Sequence, residues 1–140
     1  MIPAASHPDF GGVWEMNIAR SALRGPTPKR VVAIIEHREP KIIQQLLITK
    51  ADGAEQQMTF RFATDAETAN AIGDASGQTR ARWEGPELVV ELRMKTPGHD
   101  VYVEDHWSLS EDGQTLTMAH LDDDLAGQIS VFERKSQANT

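Results

Sequence analysis

A chain of 140 residues is the size of one domain, and 39% hydrophobic residues with 10 Gly and 7 Pro suffice for one buried core while excluding collagen-like or low-complexity sequence. The 21 Asp and Glu against 14 Lys and Arg leave a net charge of -7, which argues against nucleic acid or an anionic lipid surface as a partner. With no Cys there are no disulfides, thiolate metal sites or thiol nucleophiles, and the compartment stays open.

Met1 to Asp9 shows no basic start followed by an apolar stretch, so no signal peptide is expected in it. Residues 1–10, with His7, read as an N-terminal arm, 11–135 as a β domain and 136–140 as a tail. The first strand starts near Gly12, and Arg20 to Pro28, with Gly25, Pro26 and Pro28, reads as a loop crossing to the second. The longest aliphatic runs, such as Val31-Val32-Ala33-Ile34-Ile35, fall far short of the roughly 20 residues of a spanning helix, so no integral membrane association is expected. Turn signals recur at Arg38-Glu39-Pro40, Ala51-Asp52-Gly53, Gly73 to Gly77, Gly85-Pro86, Pro97-Gly98, Glu111-Asp112-Gly113 and Ala126-Gly127, the spacing of a meander of hairpins. Only Asp65 to Ala71 is ambiguous, fitting either a helical turn or a polar edge strand. Eight to ten antiparallel strands in so small a domain must manage two exposed edges, so an all-β, up-and-down barrel is expected, with a β-sandwich as the alternative.

A two-residue turn at Gly85-Pro86 places Trp83 opposite Leu88, Ala81 opposite Val90 and Arg80 opposite Glu91. Thr79, Ala81 and Trp83 then join Leu88, Val90, Leu92 and Met94 on a dry face. Arg80, Arg82, Glu84, Glu91 and Arg93 share the wet one, where Arg80 and Glu91 read as a surface ion pair. In the next hairpin Leu109 falls near Leu116, Trp107 near Met118 and Asp105 opposite His120. Both members of that last pair lie on the apolar side, where an unpaired charge is expensive. Either they form a structural bond closing one end of the barrel or they contact a ligand.

Other candidates carry less. His37, His99 and His106 lack neighbours at metal-ligand spacing and read as solvated or turn histidines, and Asp122-Asp123-Asp124 lacks the Gly bend and distal Glu of a calcium loop. No metal and no cofactor is expected. No Gly-rich phosphate loop or Gly-x-Ser-x-Gly elbow is present. Met58, Phe60, Phe62, Trp83, Trp107 and Met118 read as core, part of which could line a cavity.

Asp9-Phe10-Gly11-Gly12-Val13-Trp14 resembles the first strand of the lipocalin and calycin group, whose Gly-x-Trp motif is matched by Gly12, Val13 and Trp14. The resemblance implies that Arg134, near the end of the last strand, packs over Trp14 and closes the barrel. Trp83 to Val90 and Asp105 to Thr117 are also similar to a group of small bacterial lipocalin-like proteins, commonly exported, which leaves a periplasmic or secreted location open beside the cytoplasm. A fatty-acid-binding subgroup holds a carboxylate with an Arg-x-Tyr pair in its last strand; here Lys135 and Ser136 follow Arg134, so that anchor is missing.

The function expected is non-enzymatic binding of a small hydrophobic or amphipathic molecule inside the barrel, between walls of Met58, Phe60, Phe62, Trp83, Leu92, Trp107 and Met118, with Asp105 and His120 at its polar end. Two alternatives stand beside it. One is a structural or interaction barrel with a filled core; the other is a small isomerase, cyclase or hydrolase using Asp105 and His120 for proton transfer. The oligomeric state is left open.

Overall fold

Runs of β-branched, aromatic and alternating residues between turn signals fold into ten strands in the computed structural model, which describes residues 8–23, 26–72, 75–96, 98–121 and 128–135. They are β1 (Gly12–Met16), β2 (Arg30–Arg38), β3 (Lys41–Thr49), β4 (Glu55–Ala63), β5 (Thr68–Ile72), β6 (Ala75–Glu84), β7 (Glu87–Thr96), β8 (His99–Leu109), β9 (Thr115–Leu121) and β10 (Gln128–Arg134). One antiparallel sheet contains them all in the order β4-β3-β2-β1-β10-β9-β8-β7-β6-β5, so the first and last strands are zipped together. The sheet curls until β4 and β5 lie side by side without a backbone ladder between them. Thr79 of β6 spans that seam, its hydroxyl within hydrogen-bond reach of the Arg61 carbonyl on β4 and the Thr68 carbonyl on β5. The result is a nearly closed up-and-down barrel; a sandwich is excluded because there is no second sheet to pack. Among the described residues no helix is long and apolar enough to cross a membrane.

The turns set the registers that matter below. Glu84 pairs with Glu87 across Gly85-Pro86, which aligns Trp83 with Leu88 and Ala81 with Val90, as the turn chemistry predicts. Between β8 and β9, Asp112 accepts from the Gln114 amide at 3.1 Å and from the Ser110 hydroxyl at 2.6 Å, while Gly113 takes a φ of 72° that other residues rarely adopt. That turn fixes Leu109 opposite Leu116, Trp107 opposite Met118 and Asp105 opposite His120. Thr68–Ile72 is an edge strand, not a helical turn, because pairing with 75–79 satisfies its backbone. Between β1 and β2 the chain makes a short 3-10 turn, Ile18–Arg20, and a bridge from Ala22 to Ile129. His7, residues 24–25 and 73–74 of the predicted loops, the Asp122-Asp123-Asp124 run and the 136–140 tail lie outside the described residues.

One end of the barrel is packed solid. Arg134 lays its guanidinium over Trp14, 4.3 Å from the ring centroid, and donates from Nη1 to the Gly11 carbonyl at 2.9 Å and from Nε to the Gly113 carbonyl at 3.1 Å. Gly12 beneath it has a φ of 135°, and a Cβ there would stand 2.7 Å from Arg134 Nη1, so the motif glycine is required twice over. Phe10, which the sequence pattern assigns to the arm, is fully buried: its carbonyl accepts from Trp14 Nε1 at 2.9 Å and its ring meets Trp107 edge-on and Trp83 face-on. His37, expected to be solvated, is instead buried between those rings. The Phe10 amide donates to its Nδ1 at 3.1 Å, which leaves the ring proton on Nε2, 2.6 Å from Glu39. Burial works against the Glu39 charge, yet bonds from His37, Thr64 and Trp83 hold its carboxyl below the usual range.

The outer face of β6, β7 and β8 carries a charged network. Arg80 does stand opposite Glu91 in the register, but Glu91 pairs with Arg82, its diagonal neighbour, which Glu84 anchors from the other side at 2.9 Å. His106, also expected to be solvated, lies half-buried between Glu87 at 3.0 Å and Glu104 at 2.7 Å. The two carboxylates, Glu87 foremost, raise the His106 pKa above its ordinary 6.5, and His106 together with the Tyr102 hydroxyl holds Glu104 below 4.5. Burial and the bond to Glu104 push the Tyr102 hydroxyl up to about 12.

Arg134→Ala is expected to lower unfolding free energy by about 2 kcal/mol in urea titrations, with Arg134→Lys restoring less than half, since an ammonium neither stacks on Trp14 nor spans both carbonyls. The His106 contribution is complete below the ordinary His value of 6.5 and fades as pH rises through the higher folded value; that of Glu104 is complete above 4.5 and fades as pH falls. The stability gap between the parent chain and His106→Gln should therefore be widest near about pH 5.5 and narrow toward about pH 8.5 in denaturation series.

Candidate ligand cavity

Strand alternation aims one side chain in two at the barrel axis, and beyond the packed end those side chains do not meet. They enclose a cavity of about 450 Å³. Of the side chains singled out from the sequence, Met58, Phe60, Phe62, Leu92 and Met118 line it, together with Asp105 and His120. Trp83 and Trp107 do not, which corrects their expected place in the wall. Both have the inward phase, but they sit beside the β6–β7 turn and opposite Leu88, at the depth where Phe10 enters. Trp107 packs edge-on against Phe10 and Phe62, and Trp83 stacks on Phe10 and His37.

The sequence reading did not include several wall residues. Gln44, only 5% exposed, shares the phase of Ile42 and Leu46 on β3 and donates from Nε2 to the Met118 sulfur at 4.0 Å. Its position in an otherwise apolar alternation is the signal that could have revealed it. Met16 and Met94 join Met58 and Met118 in the wall, and Ser130 with Phe132 follows from the alternation on β10. Leu23, Pro26 and Pro28 come from the connection between β1 and β2, where no periodicity exists to read.

Asp105 and His120 are neighbours across β8 and β9, with His120 Nδ1 2.6 Å from Asp105 Oδ1 and both side chains about one-fifth exposed, at 22% and 19%. The approach is that of an ion pair without hydrogen-bond alignment, so Oδ1, itself shielded from solvent, has no hydrogen-bond donor among the described residues. The pair stands in the cavity wall, whereas the sealed end is built by Phe10, Trp14, Trp107 and Arg134. Among the described residues the cavity lining contains no Lys or Arg, and no group of His, Asp and Glu converges as a metal cluster.

A ten-stranded meander sealed at one end by a Trp–Arg contact, with an apolar cavity at the other, has the fold of a lipocalin-like barrel. No family model matches the sequence, and no curated protein matches it either. Solved structures do. A secretory abundant heat soluble protein from Ramazzottius varieornatus superimposes with a TM-score of 0.62 at 13% identity, over 90% of this chain and 94% of that one. The fluorescent protein UnaG gives 0.61 at 14% identity over 90% and 97%, and Rv2717c from M. tuberculosis gives 0.53 at 15% over 91% and 93%. At such identities the likeness is one of fold.

The tryptophans at the packed end differ in one testable respect. Trp14 donates its ring N–H to the Phe10 carbonyl, whereas Trp107 Nε1 is buried with no acceptor among the described residues. Trp14→Phe should cost at least about 1 kcal/mol more stability than Trp107→Phe in parallel denaturation curves, because the second exchange removes an unsatisfied donor along with the ring.

Proposed function

We propose that this barrel binds, without chemical turnover, a small hydrophobic or amphipathic molecule in its cavity. The observation that carries the reading is the coexistence of a fully packed end with an unfilled apolar space of about 450 Å³, inside the range of roughly 300 to 1,000 Å³ typical of ligand sites. A barrel filled throughout would have no reason to stop packing halfway along its axis. Each Å² of apolar ligand surface taken from water into such a wall contributes about 25 cal/mol, so the hydrocarbon part supplies affinity and the few polar groups supply orientation. Asp105, His120, Gln44 and Ser130 are the polar groups assigned that task.

Proton-transfer chemistry is the second reading, favoured by the contact between Asp105 and His120. It requires a turnover that His120→Ala abolishes while the fold persists.

The neutral dye N-phenyl-1-naphthylamine tests the first reading. Titration into the full chain should give saturable, one-to-one fluorescence enhancement with a blue shift. Leu46→Trp, which places an indole in the cavity, should weaken it at least about tenfold while the far-UV circular dichroism is unchanged. Absence of saturable enhancement, or equal affinity in a folded Leu46→Trp, overturns the proposal.

A further inference from the structure

Resting on the cavity reading above, we infer that the polar end of the ligand is cationic: the site takes an amphiphile carrying a protonated amine and discriminates against a carboxylate. The argument is a charge count along the wall. Among the described lining residues there is no Lys and no Arg. Arg61 and Arg93 alternate with wall residues on β4 and β7 and take the outward phase, Arg93 over the Tyr102 ring. Arg82 is held on the outer face by Glu84 and Glu91, and Arg134 is pinned over Trp14 at the packed end by the carbonyls of Gly11 and Gly113. Glu91 borders the cavity, but its carboxylate is already matched by Arg82.

What remains is Asp105 with His120. Among the described lining residues no cationic side chain other than His120 itself stands beside the Asp105 carboxyl. Oδ1 of Asp105 is shielded against His120, 2.6 Å away, while about one-fifth (22%) of the Asp105 side chain stays exposed in the cavity wall, where its carboxyl can meet a ligand head group. An ammonium supplies three donors and the opposite charge, whereas a carboxylate supplies neither and meets Asp105 as a like charge in a site of low dielectric. The remaining polar residues of the described wall besides Glu91, namely Gln44, Gln128 and Ser130, are neutral and offer a carboxylate no compensating charge. For the rest of the ligand, Met16, Met58, Met94 and Met118 form an unbranched, polarizable lining that moulds to an alkyl chain or a flat ring.

The test is competition for bound N-phenyl-1-naphthylamine by dodecylamine, dodecanol and dodecanoate, each below its micellar concentration, at about pH 7. Dodecylamine should displace the dye at a concentration about tenfold lower than dodecanoate, with dodecanol between them. A net charge of -7 attracts any cation to the whole surface, so the decisive arm is Asp105→Asn, which changes that total by one yet should bring the amine and the acid within about threefold of each other. If Asp105→Asn fails to fold, Gln128→Lys, placed in the wall across from His120, should reverse the order. Equal or better displacement by dodecanoate overturns the inference, as does an amine preference that persists undiminished in folded Asp105→Asn. Either result leaves dye binding, and so the cavity reading, intact. A parent chain that never binds the dye removes both.

Discussion

The guanidinium of Arg134 resting on the indole of Trp14 is the contact on which the barrel depends, because it reinforces the ladder that joins the last strand to the first in the middle of the sheet. Each partner is constrained by a third group. Gly12 leaves room for the guanidinium, Gly113 presents a carbonyl to it from the β8–β9 turn, and Phe10 accepts the indole N–H from below. Hydrogen bonds to a charged group and a cation–π stack are individually modest, but here they converge on one buried ring and tie together three segments that are remote in sequence. The same commitment removes Arg134 from the interior.

The packed end and the cavity are two consequences of a single alternation. Inward side chains fill the axis where they are large and where the segment before β1 adds Phe10 as an extra aromatic layer, with His37 and Trp83 stacked against it. Past that layer the described inward positions are methionines and other aliphatic residues with Phe60, Phe62 and Phe132, which reach only partway across. The space is therefore bounded by side-chain length as much as by strand number. Asp105 and His120 come from adjacent strands in direct register, so their mutual geometry is as firm as the hairpin that sets it.

How much of this was legible in the residues divides along physical lines. Turn chemistry and period two gave the registers at Gly85-Pro86 and around Asp112-Gly113 in full, because both are local constraints, and the Asp105–His120 juxtaposition followed from them. Period two reports which side of a strand a residue faces but not how far along the axis it lies, which is why Trp83 and Trp107 have the right phase and the wrong depth. His37 and Phe10 were misread because they explain one another across 27 residues, and Phe10 belongs to no periodic run. The exchange of Arg80 for Arg82 as partner of Glu91 reflects sheet twist and side-chain reach, which a flat ladder does not represent.

Where β4 and β5 run side by side, the barrel is a cylinder with a slit along its length, bridged by the side chain of Thr79 and not by a row of amides. A hoop fastened by peptide hydrogen bonds at every joint has a fixed girth, since widening it means breaking a whole row at once. This one has a joint where, among the described residues, side chains such as Thr79 take the place of that row, so its girth is least constrained by backbone pairing at one meridian.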